Sequence, residues 1–180
     1  EVAHASSRAL AGIAGVSDGV LRGMATAGIL EAVTVDLDRP YPRARADFAV
    51  PDLTPDQQAA ADIFAAAVEN GGFAPFLLDG VTGSGKTECY FEAIAAAIEG
   101  GKQVLVLLPE IALTEHFLRR FEARFGVPPV LWHSSIKASE RRRAWRAIAL
   151  GPENGGAQVV VGARSALFLP FARLGLRVVV

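Results

Sequence analysis

Apolar positions along this chain come in two rhythms, and their alternation sets the architecture. Short, nearly continuous apolar runs fall at Phe76–Leu78, Gln103–Leu108, Val130–Trp132, Gln158–Val161 and Leu176–Val180. Between them lie segments whose apolar residues recur every three to four positions: Phe91, Ile94, Ala95 and Ile98, then Phe117, Leu118, Phe121 and Phe125. Runs of the first kind are strands buried on both faces, and segments of the second kind are helices with one apolar stripe. The order predicts helices over 86–99, from about Ile111 to Phe125 and over 139–150, joining strands of a parallel sheet covered on both sides. Leu53-Thr54-Pro55-Asp56-Gln57 opens a further helix to about Glu69, with Thr54 as N-cap, Pro55 in the first helical position and Gln57 placed to complete a capping box. Asn70-Gly71-Gly72, Gly100-Gly101 and Gly126 are helix stops.

Ahead of this region the pattern changes. Residues 1–38 read as a small helical module: Leu10, Ile13 and Ala14 at helical spacing, a turn at Gly15-Val16, Ser17 capping a second helix through Leu21 and Met24, and Gly28 closing it. Two short helices about a glycine turn fit a helix-turn-helix, with Ile29–Val35 as the first strand of a wing. The second helix offers only Asp18 and Arg22 as charged side chains, which is poor equipment for reading bases and favours a packing role. Residues 39–52 are proline-rich, charged and aperiodic, and are expected to be a linker. Arg177-Val178-Val179-Val180 stops without a turn signal, so the domain over 53–180 is expected to be truncated at that end.

The chemistry is concentrated at Gly80-Val81-Thr82-Gly83-Ser84-Gly85-Lys86-Thr87, a G-x-x-x-x-G-K-T string between an apolar run and a helix. A triphosphate is densely anionic, so several backbone N–H groups must converge on it. Glycines permit that approach, and the helix start adds its unpaired donors and the positive end of its dipole. Gly80, Thr82, Gly83, Ser84 and Gly85 are thus candidate ATP contacts, Lys86 a charge for the β- and γ-phosphates, and the Thr87 hydroxyl a ligand for Mg²⁺. Gln57, just ahead, can either present its amide to adenine or simply cap its helix.

Composition changes this picture little. Of the 180 residues 51% are hydrophobic, and the net charge of −1 gives no general attraction for nucleic acid, so DNA contacts must come from local groups. One cysteine, Cys89, and three scattered histidines, His4, His116 and His133, exclude a zinc cluster within the chain. Cys89 is expected as a small core residue. No run is long enough to span a membrane and no signal pattern opens the chain, so a cytoplasmic protein is expected. Pro109-Glu110 through Thr114 and Gly162-Ala163-Arg164-Ser165 follow strands at their carboxyl ends, the side on which open parallel sheets bind ligands. From spacing alone each is an ordinary strand-to-helix turn. Lys137, Arg141, Arg142, Arg143 and Arg146 surround Trp145; the reading preferred from pattern puts Trp145 and Ile148 in the core with the arginines on a solvated face, against base stacking on Trp145. His133 has no evident partner and is read as structural.

Taken together, Leu77 to Glu88, Gly101 to Thr114, His133-Ser134 and Gly162-Ala163-Arg164-Ser165-Ala166-Leu167-Phe168 resemble the PriA family, the superfamily 2 helicases of bacterial replication restart. The Pro109–Thr114 and Arg164–Phe168 strings separate it from the related RecG and Mfd translocases. The resemblance covers most of 53–180 and implies a RecA-like P-loop NTPase lobe, preceded by the end of a winged-helix domain. It implies adenine recognition by Gln57, ATP and Mg²⁺ binding by Gly83–Thr87, and DNA contacts by Pro109, Glu110, Thr114, Gly162, Arg164 and Ser165. It further implies 3′-to-5′ unwinding of forked and single-stranded DNA, partnership with single-stranded DNA-binding protein and primosome proteins, and zinc held in a cysteine-rich insertion outside this chain. By the same resemblance an acidic motif and a second lobe lie beyond Val180, so residues 1–180 alone are expected to be inactive. Two other classes compete: a DNA-binding or assembly module with a vestigial or regulatory nucleotide site, and a small-molecule P-loop kinase.

Overall fold

The computed structural model describes residues 11, 12, 14–30, 40–109 and 115–180. The chain divides between residues 38 and 39 into two compact units. In the first, helix α1 spans Asp18–Thr26, with Ser17 at its N-cap and no side-chain capping bond from it. Leu21 is buried, and Gly28 ends the helix with a positive φ. The expected wing strand over 29–35 and most of the expected first helix lie outside the described residues, apart from Ile29 and Leu30 and a helical stretch at 11, 12 and 14.

The second unit is an α/β layer structure. Its helices are α2 (Pro55–Asn70), α3 (Lys86–Glu99), α4 (Glu115–Phe125) and α5 (Ala138–Leu150), and its strands are β1 (Gln103–Leu107), β2 (Val130–Trp132), β3 (Val159–Gly162) and β4 (Leu174–Val179). A single-turn 3₁₀ helix, Pro152–Asn154, precedes β3, and another, Arg164–Phe168, follows it. The sheet order is β2-β3-β1-β4 and every pairing is parallel. Leu107 is in register with Gly162 and Val179, and Gly162 with Trp132, so the strands end together on one rim.

β1 is buried along its whole length, and its alternate residues divide between two cores. Val104 and Val106 join Phe91, Ile94, Ile98, Phe117, Phe121 and Phe125 beneath α3 and α4, whereas Leu105 and Leu107 join Ala144, Ala147, Ile148, Ala166 and Leu169 beneath α5. Phe91 is the hub of the first core, with ring centroids 5.9, 6.0 and 5.5 Å from Phe117, Phe121 and Phe125 at steep interplanar angles, an edge-to-face geometry.

One fully buried polar side chain ties the layers together. Gln103 donates from Nε2 to the carbonyls of Ile148 (3.0 Å) and Ala157 (2.9 Å), and its Oε1 accepts from the N–H of Arg173 (2.9 Å). The end of α5, the entry to β3 and the entry to β4 therefore meet on one amide. Nothing in the pattern of the sequence marks Gln103 for this, because its partners lie 45 to 70 residues away.

Three expectations are corrected. No strand forms over Phe76–Leu78: Phe76 and Leu77 are 52% and 92% exposed, and the Phe76 ring packs edge-on against Phe64 of α2 at 5.5 Å. Three apolar residues offer only a short ladder, and the Phe76 ring is engaged by Phe64. Trp145 does not face the core; it is 49% exposed, while Ile148 is fully buried as expected. The stretch expected as a linker is packed on the lobe from Tyr41 onward. Ala44 N–H donates to Gln158 Oε1 (2.9 Å), Arg45 N–H to the Phe125 carbonyl (3.0 Å), and Arg124, itself buried, donates to the Ala46 carbonyl (2.6 Å) while pairing with Glu92 (2.9 Å). Proline and charge content reads as a solvated connector locally, yet Ala44 and Ala46 are small enough to be buried in the first core.

Two outcomes follow from this packing. Gln103→Leu keeps the volume but strips three backbone groups of their partner, and it is expected to lower unfolding free energy by about 2–3 kcal/mol, measured by urea denaturation. Cys89 is 3% exposed on α3, and its burial pushes the thiol above its ordinary pKa of 9.0. It is therefore protonated and shielded at pH 8, and a thiol reagent is expected to react with it only after unfolding. Because the shift is upward, the associated stability is present below the unfolded-state value and declines as pH rises toward the folded one.

Candidate nucleotide site and nucleic-acid rim

α3 and β1 are joined by Gly100-Gly101-Lys102 alone. Gly101 takes φ +63°, its N–H bonds to the Ile98 carbonyl and that of Lys102 to the Ala97 carbonyl (2.8 Å), a pair of bonds that closes the helix and reverses the chain. Lys102 Nζ also reaches the Val68 carbonyl near the end of α2. So tight a reversal makes α3 antiparallel to β1 and carries its N-terminus to the rim where the strands end. The phosphate loop thus stands on the same rim as the turn after β1 and the turn after β3.

Within the loop, Gly83 and Gly85 have φ of +83° and +82°, a region that side-chain-bearing residues rarely occupy. At Gly85 a Cβ would also lie 2.3 Å from Gln57 Nε2. Ser84 N–H bonds to the Val81 carbonyl (3.2 Å), Gly80 N–H to Asp79 Oδ1 (2.8 Å), and Glu88 N–H to the Gly85 carbonyl (2.9 Å). Lys86 Nζ bends over the loop and donates to the carbonyls of Gly80 and Val81, the latter at 3.1 Å. Neutral carbonyls hold that ammonium, and phosphate oxygens carrying full charge are stronger acceptors for it. The fit to a nucleoside triphosphate and Mg²⁺ rests on this cradle: two left-handed glycines, an ammonium held by exchangeable carbonyls, and first-turn N–H groups at Lys86 and Thr87 without intrahelical partners. Thr82 is exposed and Thr87 half-buried.

Side chains from three helices brace the cradle. Gln57 completes the capping box of α2, its Oε1 accepting from Thr54 N–H (3.0 Å) and Thr54 Oγ1 from Gln57 N–H (3.4 Å), and its Nε2 donates to the Ser84 carbonyl (2.9 Å). The capping role foreseen for it is present, together with a bond into the phosphate loop that spacing did not foretell. Glu88 pairs with Arg120 of α4 (2.8 Å). Tyr90, one turn after Thr87, packs against the first core, and burial pushes its phenol above its ordinary pKa. Arg120 and Tyr90 were not singled out from the sequence; the i, i+3 spacing of Thr87 and Tyr90 was the one local signal available.

Along the rim, Pro109 is exposed after β1, while Glu110 and Thr114 lie outside the described residues. Gly162 closes β3 and is buried, Ala163 N–H bonds to the Trp132 carbonyl (3.1 Å), and Arg164 and Ser165 are exposed at the start of the 3₁₀ helix. After β2, His133 Nδ1 accepts from Ser135 N–H (3.3 Å), and Arg141 donates to the His133 and Ser134 carbonyls (3.3 and 3.1 Å) while lying over the Trp132 ring. His133 thus organises a turn, in keeping with a structural role. Among the described residues no three His, Cys, Asp or Glu side chains gather to hold a metal, and no helix is long and apolar enough to cross a membrane.

Similarity to known proteins points the same way. The sequence profile described as DEAD/DEAH box helicase matches residues 54–179. Replication restart protein PriA of Rickettsia felis is 46% identical over 132 residues, 73% of this chain and 19% of that protein. The Bacillus subtilis protein of the same name is 40% identical over 127 residues (71% of this chain, 15% of that protein), and the one from Haemophilus influenzae 44% identical over 119 residues (66% and 16%). The chain therefore spans less than a fifth of the length of these relatives. With a phosphate loop folded as a cradle at the carboxyl rim of a parallel sheet, and a profile match running through most of the lobe, this chain belongs to the DEAD/DEAH box helicase family.

Proposed function

We propose that residues 53–180 form the ATP-binding lobe of a DNA helicase that unwinds 3′ to 5′ in replication restart and primosome assembly. The observation that carries the reading is the shared rim: the phosphate loop and the turns at Pro109 and Gly162–Ser165 stand at one end of one parallel sheet. Bound ATP with Mg²⁺ would supply the phosphoryl transfer whose free energy drives movement. The chain's own part is to hold and orient. Lys86 places its ammonium at the phosphates, Thr87 offers its hydroxyl to Mg²⁺, and Gly80, Thr82, Gly83, Ser84 and Gly85 supply backbone donors and room. Gln57, anchored to the Ser84 carbonyl beside the loop, is assigned to the adenine edge.

Pro109, Glu110 and Thr114 after β1, and Gly162, Arg164 and Ser165 after β3, are assigned to a DNA strand, with N–H groups, hydroxyls and one guanidinium meeting phosphates rather than bases. Opening and closing of this lobe against a second one in the intact protein would then move that strand. Residues 1–38 are assigned to part of a winged-helix module. Forked and single-stranded DNA, single-stranded DNA-binding protein, the primosome proteins, a zinc-bearing insertion and a cytoplasmic location are assigned to the intact protein as the resemblance of the sequence implies; the names of the relatives support replication restart itself.

In the intact protein, Lys86→Ala is expected to cut strand displacement by at least about a hundredfold, the scale of losing a charged contact to transferring phosphate. Forked-DNA affinity without nucleotide is expected to stay unchanged. Loss of both together would point to a folding defect, and loss of neither to a module whose nucleotide site is vestigial. The Mg²⁺-holding carboxylate and the arginine used in turnover are assigned to other parts of the intact protein. Residues 1–180 by themselves are therefore expected to bind ATP weakly and to show no DNA-stimulated phosphate release; release above background, abolished by Lys86→Ala, would contradict this.

A further inference from the structure

Two ion pairs of the same design join helices α3 and α4, one helical turn apart. Glu92 of α3 meets Arg124 of α4 at 2.9 Å, and Glu88 meets Arg120 at 2.8 Å. In each helix the two members are four residues apart, so both pairs fall on one stripe of contact. Their surroundings differ. The side chains of Arg124 and Glu92 are 6% and 20% exposed, and Arg124 also donates to the Ala46 carbonyl (2.6 Å). Those of Arg120 and Glu88 are 37% and 35% exposed.

The fold does not call for the outer pair. Phe91 against Phe117, Phe121 and Phe125 already fastens α3 to α4, with the inner pair beside it. A pair open to solvent on both sides adds little to stability. Its position explains more. Glu88 lies in the first turn of α3, directly after Lys86 and Thr87, where the helix dipole favours a negative charge. Phosphates held at Gly83–Thr87 would draw on the same positive end. A carboxylate placed there therefore stabilises the helix and opposes the ligand. Asp79, also next to the loop, is exposed and has its Oδ1 on the Gly80 N–H. Glu88 is half-buried, where water screens its charge less, and a guanidinium faces it at short range.

We propose that Arg120 is a positioning residue of the nucleotide site: it cancels the charge of Glu88 and holds that carboxylate toward α4, so that phosphates meet Lys86 and the first-turn N–H groups without a competing anion. Arg120 acts on the nucleotide through Glu88 and does not touch it. The proposal rests on the phosphate loop holding a triphosphate. It makes the two partners unequal, which a purely structural pair would not be. Removing the arginine uncovers a negative charge beside the phosphates, whereas removing the carboxylate uncovers a guanidinium, which an anion accepts.

The test titrates the intact protein with a fluorescent, non-hydrolysable ATP analogue and Mg²⁺ at low ionic strength. Arg120→Ala is expected to weaken binding about tenfold, the scale of one uncompensated charge near a phosphate in a partly screened site. Arg120→Lys, which keeps the charge, is expected to lose much less. Glu88→Gln is expected to bind as well as the parent or better, and the Glu88→Gln/Arg120→Ala double variant to return to within about twofold of it. Unchanged affinity in Arg120→Ala, or equal losses in both single variants without recovery in the double one, overturns the proposal. A loss in Glu88→Gln that appears only with Mg²⁺ makes the carboxylate a metal-side group and overturns it as well. Should Arg120→Ala lack a native circular dichroism spectrum, Glu88→Gln decides alone: binding at or above the parent's level supports the proposal and any weakening sinks it. Lys86→Ala separates this idea from the reading of the loop. If it weakens binding while Arg120→Ala does not, the compensation falls and the phosphate loop stands; if it leaves binding unchanged, both fall.

Discussion

Burial of β1 on both faces is the constraint on which the rest depends. Parallel neighbours reached by crossovers leave this strand covered by helices on either side, and Val104/Val106 and Leu105/Leu107 supply one core each. Parallel pairing in turn collects the strand ends on one rim, and the three-residue reversal after α3 brings the phosphate loop there as well. The geometry of the site is thus a consequence of packing: no residue in the loop determines which side of the sheet it serves.

Two kinds of polar interaction operate within that frame. Gln103 and Arg124 are buried and fully engaged, and they join segments far apart in the chain, the first at the entry edge of the sheet and the second between α3, α4 and the stretch before α2. Such groups cost little while satisfied and much when one partner is removed. At the rim the bonds are of another sort: Lys86 to the carbonyls of Gly80 and Val81, Arg141 to those of His133 and Ser134. These hold charged side chains at the surface by neutral acceptors, a state from which phosphate can recruit them. The contrast separates the half of the lobe that maintains the fold from the half proposed to meet ligands.

The sequence by itself determined the phosphate loop, the capping box of α2, the glycine stops and the alternation of buried strands with one-sided helices. Each of these is local: it needs only residue types within a few positions, such as Thr54 with Gln57 or Gly85 with Lys86. Tertiary structure alone decided the outward side of Trp145, the docking of Ala44 and Ala46, the absence of a strand at Phe76–Leu78 and the partners of Gln103. These depend on which distant surface is available to bury an apolar group or accept a hydrogen bond. Helical spacing cannot tell whether position 145 lies inside or outside a stripe that Ala144, Ala147 and Ile148 already complete, and composition cannot tell a solvated connector from one whose small residues find a cavity. The family was legible because its chemistry lies in a contiguous string, whereas the bracing of that string by Gln57 and Arg120 had to wait for the fold to bring three helices together.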